Sequence, residues 1–186
     1  VLPVLPATTT RLRRTPKVSA QRYLGIDPGL TGTGIASIEI TGDGVEILDA
    51  RVYVPKRKYE WTGRAILVAR EVAEAWRDMG RNYTGAMWCA VEMTEFFAAA
   101  HRAMGWKTGD LQRLTFLCGS IYTALAQEDG DAFTTMVRTS EWKGNLSKEQ
   151  TIRRLQRTLG RALEPHDVQT HAWDALGIAM WKAGRF

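Results

Sequence analysis

The chain has 186 residues, 45% of them hydrophobic, and a net charge of +5. That length fits one domain with a proper core, and no stretch approaches the roughly 20 apolar residues that cross a bilayer, which argues against an integral membrane protein. Cys89 and Cys118 are the only cysteines; both sit in apolar surroundings, so they read as free buried thiols in a reducing, cytoplasmic setting rather than a disulfide framework.

Residues 1–21 differ in character from the rest of the chain. Arg11, Arg13, Arg14, Lys17 and Arg22 precede the first acid, Asp27, so the first 26 residues carry the whole charge excess and the other twenty bases equal the twenty acids. With three of the six prolines and a threonine run, this opening reads as a disordered basic extension. Such an arm holds nucleic acid through its phosphates; an Arg-rich, acid-free opening is also the pattern of an organelle-targeting segment.

From residue 22 onward the chain reads as one folded domain. Tyr23-Leu24-Gly25-Ile26 is a short apolar strand that ends on Asp27 and turns through Pro28 and Gly29. Gly34–Ile40 reads as a second strand and Val45–Val54 as a third, joined by the Gly-rich turn Thr41–Gly44. Trp61, Ala65, Val68, Val72 and Trp76 recur at helical spacing over Trp61–Met79, with Gly80 as the stop. Ala86–Val91 is a buried strand that delivers Glu92 at its end. A helix comes next over Leu111–Leu125, whose extra apolar residues Leu117 and Ala124 widen its face beyond what one core needs; burial between the sheet and another helix of the same subunit accounts for that, and a homodimer surface, the favoured reading, accounts for it as well. Phe133–Val137 is the fifth strand. Ser147–Leu159 is a helix with Ser147 as N-cap and Gln150 in the capping-box position, and Asp167–Lys182 closes the chain as a helix. A three-strand meander and then alternating strands and helices predict an α/β fold on a mixed sheet.

The chemistry-bearing residues fall at the ends of these elements. Asp27 and Glu92 terminate strands, while His171 and Asp174, three apart, share one face of the last helix. Three carboxylates and one imidazole form a hard donor set suited to Mg²⁺ or Mn²⁺ rather than zinc, and a divalent ion offsets the repulsion among carboxylates packed together. Lys143, Lys148, Arg153, Arg154, Arg157 and Arg161 form a basic stretch leading into that helix, suited to phosphate contacts.

Four segments together resemble the RuvC-type Holliday-junction resolvases of the RNase H-like superfamily: YLGIDPGLTGTGIA at 23–36, AVEMTEFF at 90–97, WKGNLSKEQ at 142–150 and HDVQTHAWDALGIAM at 166–180. They occur in the family's order and span nearly the whole chain from residue 22. The resemblance implies an RNase H-like mixed five-stranded sheet flanked by helices. It further implies that Asp27, Glu92, His171 and Asp174 bind two Mg²⁺ or Mn²⁺ ions, with Lys143 and Lys148 as active-site or DNA-contacting lysines; Lys148 would offset charge in catalysis, and Arg153 of the basic stretch joins the DNA contacts. Many members carry Asp where this chain has His171, a softer ligand that moves preference towards Mn²⁺. The family's aromatic wedge falls three residues after the second carboxylate; Glu95 stands there, so the role passes to Phe96 or Phe97.

The implied activity is paired phosphodiester hydrolysis of branched DNA by a homodimer, leaving 5′-phosphate and 3′-hydroxyl ends; a branch-migration helicase partner is not named by any residue pattern. Two other activities share the fold: cleavage of RNA–DNA hybrids, and non-catalytic DNA binding. A sugar-kinase or actin-type ATPase has similar Gly-Asp-Gly loops but needs two large lobes, and this chain is too short for them.

Overall fold

The computed structural model describes residues 19–93, 109–129, 133–160 and 170–186. Among the described residues the elements are, in chain order, β1 (Gln21–Asp27), β2 (Thr33–Thr41), β3 (Gly44–Tyr53), α1 (Trp61–Gly80), β4 (Ala86–Met93), α2 (Asp110–Asp129), β5 (Thr134–Arg138), α3 (Thr139–Trp142), α4 (Lys148–Leu159) and α5 (Thr170–Lys182). The five strands form one sheet in the order β3-β2-β1-β4-β5. β1, β2 and β3 pair antiparallel, whereas β4 and β5 join β1 in parallel. Among the described residues no helix is long and apolar enough to cross a membrane.

Strand alternation divides the interior into two layers. Leu24, Ile26, Ile35, Cys89 and Val91 point to one face and pack against Val68, Val72 and Trp76 of α1 and Leu117, Ile121 and Leu125 of α2. Tyr23, Ala36 and Ile38 point to the other and pack against Leu155 of α4 and Trp173, Leu176 and Met180 of α5. A smaller cluster of Ala90, Val137, Trp142 and Ile178 joins β5 to α5.

Leu117 therefore belongs to the subunit's own core, at 2% exposure, and not to an outward-facing flank. Position along the helix explains the difference. The outward side of α2 carries Phe116, Gly119, Ser120, Thr123 and Ala124, which face a groove against Ile66, Arg70 and Ala73 of α1. The tetrad Thr139–Trp142 turns into a short helix that no sequence periodicity announces. Ser147 caps α4 with the reciprocal Ser147–Gln150 bonds in place, and Gly160 closes that helix in the left-handed conformation. Cys89 and Cys118 are buried and form no disulfide with each other.

Two glycines let α5 lie directly on the sheet. A Cβ on Gly25 would collide with the carbonyl oxygen of Ala175, and one on Gly34 with the carbonyl oxygen of His171. The helix backbone thus touches β1 and β2 where side chains are absent, and its N-terminal turn comes to rest over the end of β1.

Candidate active site

The site is built at the end of the sheet where β1 and β4 stop. These strands are parallel neighbours, and their last paired residues are Ile26 and Val91. Asp27 and Glu92 are the next residues of each strand, so they emerge side by side. Period-two alternation turns both away from the α1–α2 layer and towards α5.

α5 supplies the remaining groups. Its contact with Gly34 fixes the backbone at His171, and His171 Nδ1 lies 2.7 Å from Asp27 Oδ2. Asp174, one turn further on, accepts from Lys143 Nζ at 3.3 Å. Lys143 is held there by its neighbour. Trp142 is buried against Gly177, where any β-carbon would overlap the indole ring, and the lysine that succeeds it reaches back one helical turn to Asp174. Lys148, at the start of α4, donates to Thr170 Oγ1 at 2.9 Å, next to His171. Thr139, immediately after β5, donates to Glu92 Oε1.

Burial governs the electrostatics. Glu92 is pushed up to about 7, first by burial and then by the neighbouring Asp27 and Asp174 charges; the Thr139 hydrogen bond pulls in the opposite direction. The Trp142 indole, buried beside that carboxylate, lowers it by the smallest of these influences. Asp27 is also raised by burial, against the lowering effect of its hydrogen bond to His171, and Asp174 raises it further. His171 is raised chiefly by that same hydrogen bond. The mutual influence of Asp27, Glu92 and Asp174 places all three in one electrostatic neighbourhood.

The structure thus gathers Asp27, Glu92, His171, Asp174, Lys143 and Lys148 at one end of the sheet. The donors meet as pairs: among the described residues no three His, Cys, Asp or Glu side chains close on a single point. Each carboxylate has its own partner, namely His171 on Asp27, Lys143 on Asp174 and Thr139 on Glu92. Arg153 is exposed on α4, and its neighbour Arg154 lies over the Phe186 ring at 4.8 Å. Phe96, Phe97, Glu95, Trp106, Arg161 and Asp167 lie outside the described residues. Thr139 and the bracing role of Trp142 have no signal in the sequence. Both depend on the β4–β5 register and on Gly177, which no local pattern reveals.

Solved structures provide the comparison. Thermus thermophilus RuvC superposes with a TM-score of 0.65 over 88% of this chain and 97% of that one, at 18% identity. The fold is that of the RuvC-type resolvases. The same RuvC in complex with a Holliday junction substrate gives a TM-score of 0.66 at 20% identity, over 88% of this chain and 92% of that one. The yeast mitochondrial Holliday junction resolvase gives 0.52 at 14% identity, over 88% and 81%. No family model and no curated protein sequence matches the chain. The RuvC-like mixed sheet flanked by helices agrees with the architecture expected from the sequence.

Proposed function

We propose that this protein is a divalent-metal-dependent endonuclease that resolves four-way or other branched DNA junctions. The observation that carries this reading is the convergence of Asp27, Glu92, His171 and Asp174, with Lys143 and Lys148, at one end of a RuvC-like sheet. In that fold, a solved neighbour is seen with a Holliday junction substrate.

The donor set fits Mg²⁺ or Mn²⁺. Burial pushes Asp27 and Glu92 up, and the neighbouring carboxylate charges add to it, so a bound cation would offset both costs. Asp27, Glu92, His171 and Asp174 would hold the ions. A bound divalent ion lowers the pKa of a water nucleophile and offsets charge on the scissile phosphate. Gathering the donors requires His171 to turn from Asp27 and Lys143 to release Asp174. Both are side-chain rotations, because the glycine contacts fix the backbone of α5. Lys148, already at the rim beside Thr170, offsets negative charge as water attacks phosphorus and the 3′ oxygen departs, leaving 5′-phosphate and 3′-hydroxyl ends. Lys143 and Arg153 contact phosphates, with Phe96 or Phe97 opening the junction.

Paired cuts across a junction need two such sites, so the active form is a homodimer. The groove between α1 and α2 supports this, since Ile66 and Phe116 expose 49% and 46% of their surface there. One gel assay tests the reading: synthetic four-way junction, linear duplex, flap and RNA–DNA hybrid, each with Mg²⁺ and with Mn²⁺. Symmetric nicking confined to the branched DNAs is expected; preferential cutting of the hybrid would assign a ribonuclease H activity instead.

A further inference from the structure

A cavity of about 250 Å³ lies behind the catalytic loop, between Gly29–Thr31 and the first turns of α1 and α2. It is on the opposite side of that loop from His171, and Gly29 belongs to both places: it lines the cavity, and its β-carbon direction points to within 3.6 Å of His171 Cε1. The walls are mixed. Leu30, Pro55, Trp61 and Leu117 give apolar surface, and the Trp61 ring is fixed edge-to-face against Phe116 at 5.2 Å.

Two guanidinium groups line the same cavity, in different circumstances. Arg113 is paired with Asp110 at 3.4 Å. Arg64 carries a buried Nε with no hydrogen-bond partner among the described residues. A buried N–H of a cation without an acceptor is costly, and an anion beside the same guanidinium offsets that cost. Aromatic and aliphatic walls with a guanidinium among them are the chemistry of a nucleotide, whose base takes the apolar walls and whose phosphate takes the arginine. The volume lies below the roughly 300–1,000 Å³ of drug-sized sites, which restricts the occupant to one nucleotide unit.

We propose that this cavity takes a single nucleotide of the DNA strand next to the cut, with Arg64 on its phosphate and Trp61 against its base. The proposal rests on the junction-nuclease reading and adds to it a positioning site. A nucleotide seated behind Gly29 fixes where the neighbouring phosphate lies over Asp27, so Arg64 sets the register of the cut.

The test uses the full chain and a single-stranded deoxytetranucleotide carrying 2-aminopurine, titrated by fluorescence. With the wild type, the 2-aminopurine signal should be quenched by stacking. Arg64→Gln and Arg64→Met should weaken binding about tenfold, Arg64→Lys should recover much of it, and Trp61→Leu should relieve the quenching. Arg81→Gln, an exposed arginine at the far end of the sheet, should bind as the wild type does. Equal affinity in wild type and Arg64→Gln, or an equal loss in Arg81→Gln, overturns the proposal. The two readings fail separately. A wild type that cuts junctions, with probe binding indifferent to Arg64, removes the pocket alone. A wild type that binds the probe through Arg64 but cuts no branched DNA removes the resolvase reading alone.

Discussion

The two faces of the sheet are packed by different means. On the α1–α2 side the helices stand off on large side chains: Val68, Val72, Trp76 and Ile121 interlock with Leu24, Ile26 and Val91. On the α5 side the helix backbone rests on the strands at Gly25 and Gly34. A layer of interlocked side chains can repack around a lost methylene, whereas a backbone seated on glycine has one position only. The candidate site lies on the second kind of face. Asp27, Glu92, His171 and Asp174 all project into the layer whose geometry is fixed by backbone contact.

This contrast is broken most severely by one methyl group. Gly34→Ala must push α5 off β2 at His171, at a cost of about 3 kcal/mol, and junction cleavage should be lost even at temperatures where the variant remains folded. Ile121→Ala on the opposite face should cost a comparable 2–5 kcal/mol, roughly, yet leave cleavage per folded molecule close to wild type. Thermal melts paired with single-turnover cleavage separate the two cases. Equal retention of activity would mean that the α5 contact does not position the site.

The second expected effect is a pH dependence of stability. Glu92 is pushed up to about 7, so between its unfolded value near 4.5 and that point the folded chain binds the extra proton. Stability is then fully present at acid pH and falls as pH rises through about 7, by roughly 3 kcal/mol if Glu92 acts alone. Asp27 and His171, both raised, act in the same direction. Melts in a chelating buffer from pH 5 to 8 should therefore decline, and added Mg²⁺ should flatten or reverse the trend, because ion binding favours the deprotonated carboxylates. A rising profile in chelator would contradict the burial of these groups.

On the outer side of the α1–α2 layer, Phe116→Glu should give a monomer by light scattering with little change in melting temperature. That monomer should nick weakly and fail to make paired cuts. A Phe116→Glu dimer would move the assembly surface elsewhere. The smallest effect concerns ligand type: His171→Asp should keep activity while shifting the Mg²⁺/Mn²⁺ rate ratio towards Mg²⁺. An unchanged ratio would show that the imidazole does not meet the metal.

Strand ends and helix faces are legible in the chain because they obey local rules. Asp27 closes an apolar run, Ser147 and Gln150 form their capping box as written, and the three-residue spacing puts His171 and Asp174 on one face. Relations between elements are harder to read. The widened apolar face of α2 suggests an outward surface at Leu117 because periodicity shows which residues share a helix side, not which side meets the sheet. In the fold Leu117 goes inward and Phe116 outward. Thr139 and the Trp142–Gly177 contact are hidden for a similar reason, as each joins residues far apart in the chain. The pairing of each carboxylate with His171, Lys143 or Thr139 also has no sequence signature, since it depends on side-chain rotation within a site whose membership the sequence does indicate.

On the proposed function, the carboxylates at this end of the sheet carry out metal-dependent cleavage. Asp27→Asn keeps the shape of the most buried of them and removes its charge. Single-turnover cleavage of a synthetic four-way junction, measured beside junction binding for the wild type and Asp27→Asn, tests that claim directly. The variant should bind the junction as tightly as the wild type or more tightly, and its cleavage should fall by at least about 10³-fold, a loss of roughly 4 kcal/mol of transition-state stabilisation. Near-normal turnover by Asp27→Asn would contradict the account.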